Sequence, residues 1–470
     1  MSNQVGVGGA IKSTLSKWEQ MQKAKFVEQA QNPRMRWSDF LVYVENEIKQ
    51  SKRMSQFNYK ILCFKSDGVY QLNRAIQEVF GVVTAAEDKS PSGDNTINTI
   101  EVTLSDGQRI KVPYGDISLE ELGEGGTISI SYNDETHNLH VKGKCQFKYS
   151  SLMDDIIERT KELLANESIF KGHALEITDL SNPQIMNLSN IEREVMILSK
   201  QTQYELQPLE SRILHPELCV SKGIPLKFGA LLEGSYGTGK TLLAFKLAAK
   251  AVNNNWIFVY LKDPTLLADT MRLCQVIDQT GHGAIIFTED IDQVTRGNRD
   301  AAMQDILNTL DGGDTKGMNV ITLFTTNHIE LIEPTFLRGK RIGSIISLGY
   351  LDAETAMNFL ETMFKDGYTL EGNFEPICKL IADSNIAPAF MAEIVESVKS
   401  HMVFMDTNTV RPEYVEASVK SYIRQMQLAK TKDMSITPEQ ALVTSIKATT
   451  GVNEMKAMLK EIQEKLEEMD

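Results

Sequence analysis

The run Gly234-Ser235-Tyr236-Gly237-Thr238-Gly239-Lys240-Thr241 constrains this chain more than any other stretch. It satisfies the pattern GxxxxGK[ST] in full, follows the apolar run Ala230-Leu231-Leu232, and opens into the helix-like Leu242-Leu243-Ala244-Phe245-Lys246-Leu247-Ala248-Ala249. That strand, loop and helix context separates it from a glycine turn in front of an ordinary helix. Glycines let successive backbone N–H groups converge on phosphate oxygens, and the helix N-terminus adds free donors and a favourable dipole. Lys240 is placed to neutralise the β- and γ-phosphates of a nucleotide, and the Thr241 hydroxyl to hold Mg²⁺.

Downstream, apolar runs alternate with helix-like runs. Strands are expected at 256–261, 284–288 and 319–324, with helices around 266–279 and up to Leu310-Asp311-Gly312. Such alternation implies an α/β fold with a parallel sheet covered on both faces, whose site lies along the strand C-termini. The run Ala284-Ile285-Ile286-Phe287-Thr288 ends in Glu289-Asp290, which puts carboxylates at that edge. The run 319–324 ends in Thr325-Thr326-Asn327, and Phe336-Leu337-Arg338-Gly339-Lys340-Arg341 follows.

With these motifs in order, the chain resembles an AAA+ ATPase, and more narrowly the AAA clade of hexameric protein-remodelling and unfoldase machines. The resemblance runs from about residue 185 to 425 and implies a role for each matching residue. Gly234, Ser235, Tyr236, Gly237, Thr238, Gly239, Lys240 and Thr241 would form Walker A around ATP. Glu289 and Asp290 would be Walker B, with Thr241 and Glu289 holding Mg²⁺ and Asp290 activating water. Asn327 would be sensor 1, and Arg338 and Arg341 would reach the nucleotide of the adjacent subunit in trans. Fingers of that kind imply a homo-oligomer, a hexameric ring.

The chain departs from the family at Walker B, which usually reads Asp-Glu; here Glu289-Asp290 inverts the order and implies slow turnover. Translocating members place an aromatic, a hydrophobic residue and a glycine shortly after the second strand, whereas this chain has Leu267-Ala268-Asp269-Thr270-Met271-Arg272, where Met271 could grip a polypeptide weakly. The stretch Ala387-Pro388-Ala389-Phe390-Met391-Ala392-Glu393 falls at sensor 2 and carries no arginine, as in the AAA clade.

The expected division is a helical arm at 1–54, an α+β recognition or assembly domain at 55–168, the large nucleotide-binding domain at 169–350, a helical lid at 351–428, and a linker with an amphipathic helix at 429–470. In the arm, Trp18, Phe26, Met35, Trp37, Phe40, Leu41 and Val44 are scattered apolar anchors. The second domain should hold a strand at 59–64, a helix at 69–79 and strands at 99–104, 109–112, 127–132 and 139–147; 87–95 reads as unstructured. His137 and His140 have no partner at metal spacing and read as strand or surface residues. Helices are expected at 152–164 and 191–205, and in the lid at 356–364, 376–381, 389–402 and 415–426. In the tail Val452, Met455, Leu459, Ile462, Leu466 and Met469 form an a/d stripe.

Net charge is −14, which argues against direct nucleic-acid binding. Five scattered cysteines read as free thiols of a reducing compartment, and no run reaches the ~18–20 apolar residues of a membrane span, so a cytoplasmic protein is expected. The leading expectation is an ATP-hydrolysing ring that remodels, unfolds or disassembles protein complexes, with a protein substrate or adaptor taken by the N-terminal domain. The alternatives are an AAA+ factor acting on DNA or its replication machinery, and a nucleotide-gated scaffold that hydrolyses little.

Overall fold

The computed structural model describes residues 24–32, 34–80, 98–277, 283–292, 301–311, 319–339 and 341–433. The expectations on 87–95, the end of the arm before residue 24, Gly312 and the 452–469 stripe fall outside them. The chain forms two compact units, Met1–Gly349 and Tyr350–Asp470.

The described part of the first unit starts with a helical segment at 24–30 and helix α1 (Trp37–Lys52). Strand β1 (Met54–Leu62) leads to helix α2 (Lys65–Phe80), the hairpin β2 (Thr99–Thr103) and β3 (Arg109–Pro113), then β4 (Gly115–Ser118), β5 (Thr127–Asn133) and β6 (Asn138–Gln146). An antiparallel sheet forms in the order β1-β6-β5-β4, with the β2–β3 hairpin separate. Strand β4 was not legible in the sequence: its four residues alternate only once between exposed and buried positions. Helix α3 (Ser150–Glu167) packs on α2 and leads into the second sheet.

That sheet consists of β7 (Ala174–Ile177), β8 (Gln184–Ile185), β9 (Phe228–Glu233), β10 (Ile257–Leu261), β11 (Ala284–Thr288), β12 (Val320–Thr326) and β13 (Ser344–Ser347), in the order β13-β9-β12-β11-β10-β7-β8. Every pairing is parallel except β7 with β8. The central strands β10, β11 and β12 are buried at every residue, as strands covered on both faces must be. Helices α4 (Lys200–Leu214), α5 (Pro216–Ser221), α6 (Lys240–Asn253), α7 (Leu267–Ile277) and α8 (Ala301–Asp311) belong to this part of the chain.

The helix expected at 191–205 is displaced. Ile191–Arg193 forms one 3-10 turn, and α4 begins at Lys200, where the Ser199 hydroxyl accepts from the Thr202 amide at 3.1 Å. Between them Met196 and Leu198 pack against the sheet's hydrophobic core, so tertiary burial holds that segment out of a helix.

One core runs without a break from the N-terminal sheet into one face of the parallel sheet. It includes Ile61, Leu72, Val141, Leu163, Phe170, Ile177, Val259, Met271 and Ile286. Phe64 meets Phe170 edge-on at 5.4 Å, and the Ser181 hydroxyl donates to Asp134 at 2.8 Å. At this junction Asp67 is fully buried and accepts from the Ser168 hydroxyl at 2.5 Å, the Ile169 amide at 3.3 Å and the Gln71 amide at 3.3 Å.

Burial pushes the Asp67 carboxyl up to about 6, against the pull of those donors and of Arg74. A carboxyl raised above its unfolded value binds more protons when folded. Its contribution is therefore full below about pH 4 and is lost as pH rises through about 6. Asp67→Asn is accordingly expected to gain stability relative to the wild type between about pH 4 and 7, by up to about 3 kcal/mol. Melting curves across that range test this, and two curves that stay parallel would refute it.

The second unit holds helices α9 (Ala353–Phe364), α10 (Glu375–Asp383), α11 (Pro388–Phe404) and α12 (Pro412–Asp433), with a short parallel pair, β14 (Thr369–Leu370) and β15 (Thr409–Val410). Asp352 caps α9 by accepting from the Thr355 amide at 2.7 Å. Leu360, Ile381, Val395, Val398 and Val415 are fully buried within this unit. The stretch Ala387–Glu393 opens α11, and α12 continues beyond the expected helix end into the stretch read as a linker. All five cysteines are buried free thiols, and among the described residues no helix is long and apolar enough to cross a membrane.

Candidate active site

Sheet order assembles the site. The C-termini of β9, β12, β11 and β10 lie side by side, so residues far apart in sequence meet at one edge.

The phosphate loop joins β9 to α6. A Cβ added to Gly234 would lie 2.2 Å from the Leu348 carbonyl oxygen and 2.9 Å from the Thr238 hydroxyl, so no side chain fits there. Gly239 precedes α6 with a left-handed φ of 94°, a conformation glycine adopts without cost. Thr238 is buried and donates to the Ser235 carbonyl at 2.8 Å. Tyr236 stands exposed at the rim, its ring 6.4 Å from that of His328.

Lys240 turns its ammonium into the loop and donates to the carbonyls of Gly234 at 2.8 Å and Ser235 at 2.9 Å, and to Asn327 Oδ1 at 2.8 Å. Burial lowers the Lys240 pKa, and the carboxylates of Asp290, Glu233, Asp292 and Glu289 oppose that shift. Phosphate oxygens are stronger acceptors than carbonyls and compete for such a cation.

Asn327 then relays Lys240 to the acidic strand end, donating through Nδ2 to Asp290 Oδ1 at 2.9 Å. Asp290 has a left-handed φ of 47°, a conformation that aspartate tolerates better than most residues, and its amide donates to the Thr325 hydroxyl at 3.0 Å. The Thr241 hydroxyl donates to Glu289 Oε1, and the Tyr260 hydroxyl to Glu289 Oε2. Buried Asp292 accepts from the Thr326 hydroxyl at 3.0 Å and steadies the end of β12.

These placements bear on the expected cofactors. A loop whose first glycine has no room for a Cβ, and which faces a buried ammonium, suits the close approach of phosphates. Thr241 and Glu289 present hard oxygen donors side by side, and among the described residues no cluster of three or more His, Cys, Asp or Glu side chains stands ready for a metal. That donor set fits Mg²⁺, which takes one or two protein oxygens and completes its shell from phosphates and water.

Lys240, Thr241, Glu289, Asp290 and Asn327 thus come together, and Arg338 and Arg341 do not join them. Arg341 sits against the opposite end of β9, where a Cβ on Gly229 would lie 1.8 Å from its carbonyl oxygen. Its side chain is only 10% exposed, pairs with Asp311, and donates to the Thr335 carbonyl at 2.5 Å. That guanidinium holds the Asp311 carboxyl below its usual range. Arg338 is exposed.

Met271 requires a correction. It is 1% exposed inside α7 and belongs to the shared core, so it cannot grip a polypeptide. The same helix meets the β5–β6 turn, where His137 Nε2 lies 3.7 Å from Asp269 Oδ2.

Sequence reasoning missed Tyr260, Thr325 and Asp292. For Tyr260 the available signal was its place at the end of the strand beside β11, in register with Phe287.

Residues 230–350 match the family described as "ATPase family associated with various cellular activities (AAA)". The chain carries an AAA ATPase domain. The matched stretch runs from within β9 to just past β13 and contains Lys240, Thr241, Tyr260, Glu289, Asp290, Asn327, Arg338 and Arg341. The chain is also similar to 26S proteasome regulatory subunit 4 homolog B of Arabidopsis thaliana, 33% identical over 176 residues, covering 34% of this chain and 39% of that protein. A 26S proteasome regulatory subunit 4 homolog of Saccharomyces cerevisiae is 34% identical over 182 residues, covering 35% and 40%. One of Dictyostelium discoideum is 28% identical over 233 residues, covering 44% and 52%. The chain therefore matches about two fifths to one half of the length of these curated relatives.

Proposed function

We propose that this protein is a ring-forming AAA+ ATPase that couples hydrolysis of Mg²⁺-bound ATP to the remodelling, unfolding or disassembly of protein complexes. The observation that carries the reading is the linked pair of contacts Lys240–Asn327–Asp290 and Thr241–Glu289 on adjoining strand ends. Lys240 binds the β- and γ-phosphates, and Thr241 and Glu289 hold the metal. Asp290 accepts the proton of the attacking water, with Asn327 fixing the carboxylate that does so. Mg²⁺ bound there would supply neutralisation of phosphate charge.

The relatives are named as regulatory subunits of a larger assembly, which supports a multi-subunit ring. We take a homo-hexamer as the working arrangement, in the cytoplasm, with the 55–168 domain receiving the protein substrate or adaptor. The inverted carboxylates favour a second reading, a ring that binds ATP and turns it over little: Asp290 is one methylene shorter than glutamate, and a misplacement of about 1 Å costs roughly 10²-fold in rate. ATP turnover measured alone, with unfolded protein and with DNA separates the readings. Stimulation by unfolded protein supports remodelling, stimulation by DNA alone overturns it, and bound ATP that persists without turnover favours the scaffold.

The two arginines should behave differently. Arg338→Ala is expected to lower turnover by about 10³-fold or more and to leave the melting temperature unchanged. Arg341→Ala is expected to destabilise the fold by about 1–3 kcal/mol, because it removes a nearly buried guanidinium from its carboxylate and carbonyl partners. Mixing Arg338→Ala chains with Lys240→Ala chains should restore activity, since a mixed ring contains interfaces with both groups intact. No recovery on mixing would sink the assignment in trans.

A further inference from the structure

We infer that Tyr260 is a positioning residue for the metal site: its hydroxyl grips the far oxygen of Glu289 and so compensates for the extra methylene that this chain carries where its family has aspartate. The inference rests on the nucleotide reading above and extends it to a residue outside every motif.

Tyr260 lies near the C-terminal end of β10, and its partner in register on β11 is Phe287, two residues before Glu289. Tyr260 is 8% exposed, and its ring stacks on Phe287 at 5.3 Å and 23° and meets Phe245 edge-on at 5.4 Å. The Lys262 ammonium lies 4.0 Å from the ring centre. The ring therefore has one place to sit, and its hydroxyl reaches Glu289 Oε2. Thr241 takes the other oxygen.

A glutamate has one more rotatable bond than an aspartate, so its carboxylate samples more positions unless something fixes it. Donors on both oxygens fix its plane, and of the two only the tyrosine is held in a packed aromatic cluster. Partners that orient a metal-binding carboxylate in this way typically change metal affinity by about 10- to 100-fold when removed.

The test is Tyr260→Phe, which deletes one oxygen and keeps the ring. Binding of a fluorescent ATP analogue to the full chain is measured in EDTA and against increasing Mg²⁺, with Mn²⁺ binding followed by electron paramagnetic resonance. The expected result is unchanged nucleotide affinity in EDTA, with the Mg²⁺ and Mn²⁺ concentrations at half-saturation raised about 10-fold or more. Half-saturation equal to that of the wild type overturns the inference. So does an equal loss of affinity in EDTA, which would assign Tyr260 to the fold or the nucleotide rather than the metal. If wild-type binding shows no dependence on Mg²⁺, the nucleotide reading itself fails, and that result is distinct from a wild type that responds and a variant that matches it.

Discussion

Lys240→Ala is expected to abolish ATP turnover and to weaken ATP binding by about 10²-fold or more. The ammonium lies among the Gly234 and Ser235 carbonyls and Asn327, and its contact with Asn327 ties the loop to the end of β12. A hydrogen bond to a charged group contributes about 1.5–3 kcal/mol, and the loss of more than one to the phosphates accounts for that factor. The fold should survive, because alanine suits the first turn of α6 and removal of a partly desolvated charge relieves its burial. Equilibrium binding of ATP beside steady-state turnover checks both parts. Turnover that persists in the variant would mean that phosphate is not bound at this loop.

Asp290→Asn is expected to lower turnover by about 10²- to 10⁴-fold while keeping ATP affinity within a few fold of the wild type. The amide oxygen of asparagine can still accept from Asn327 Nδ2, as Asp290 Oδ1 does at 2.9 Å, so the geometry is retained and only the base is lost. Asparagine also tolerates the left-handed backbone at this position better than most residues. Unchanged turnover would remove Asp290 from the chemistry and leave Glu289 as the carboxylate to examine. A wild type already as slow as this variant would support the scaffold reading.

Much of the site was legible in the sequence. The loop is a contiguous motif whose glycines and lysine report local backbone demands, and the structure places Gly234 where a Cβ has no room. The acidic pair was visible because it ends an apolar strand, and Asn327 because it ends the next. The shift of the 191–205 helix was not visible: its residues suit a helix, yet 194–199 stay out of one while Met196 and Leu198 pack on the sheet, and α4 begins only at Lys200. The short strands β4 and β13 were hidden for a related reason, since four residues carry too little periodicity to register. Met271 misled because the resemblance aligned its stretch with residues that grip a polypeptide, whereas it faces a core supplied in part by residues more than a hundred positions earlier.

The sequence alone determined that this chain has a phosphate loop at the end of one strand, carboxylates at the end of another, and a parallel sheet to hold them. These depend on short runs and on alternation, which a linear text carries in full. The tertiary structure decided which side chains meet. The Lys240–Asn327 contact joins residues 87 apart and the Tyr260–Glu289 contact residues 29 apart, and both exist because strand order sets β9 beside β12, and β11 between β12 and β10. It also set the Arg341 side chain against Asp311 and the Thr335 carbonyl, and joined the N-terminal sheet to the parallel sheet through a shared core. Burial and pairing of that kind are properties of surfaces brought together by the whole chain, and no local pattern encodes them.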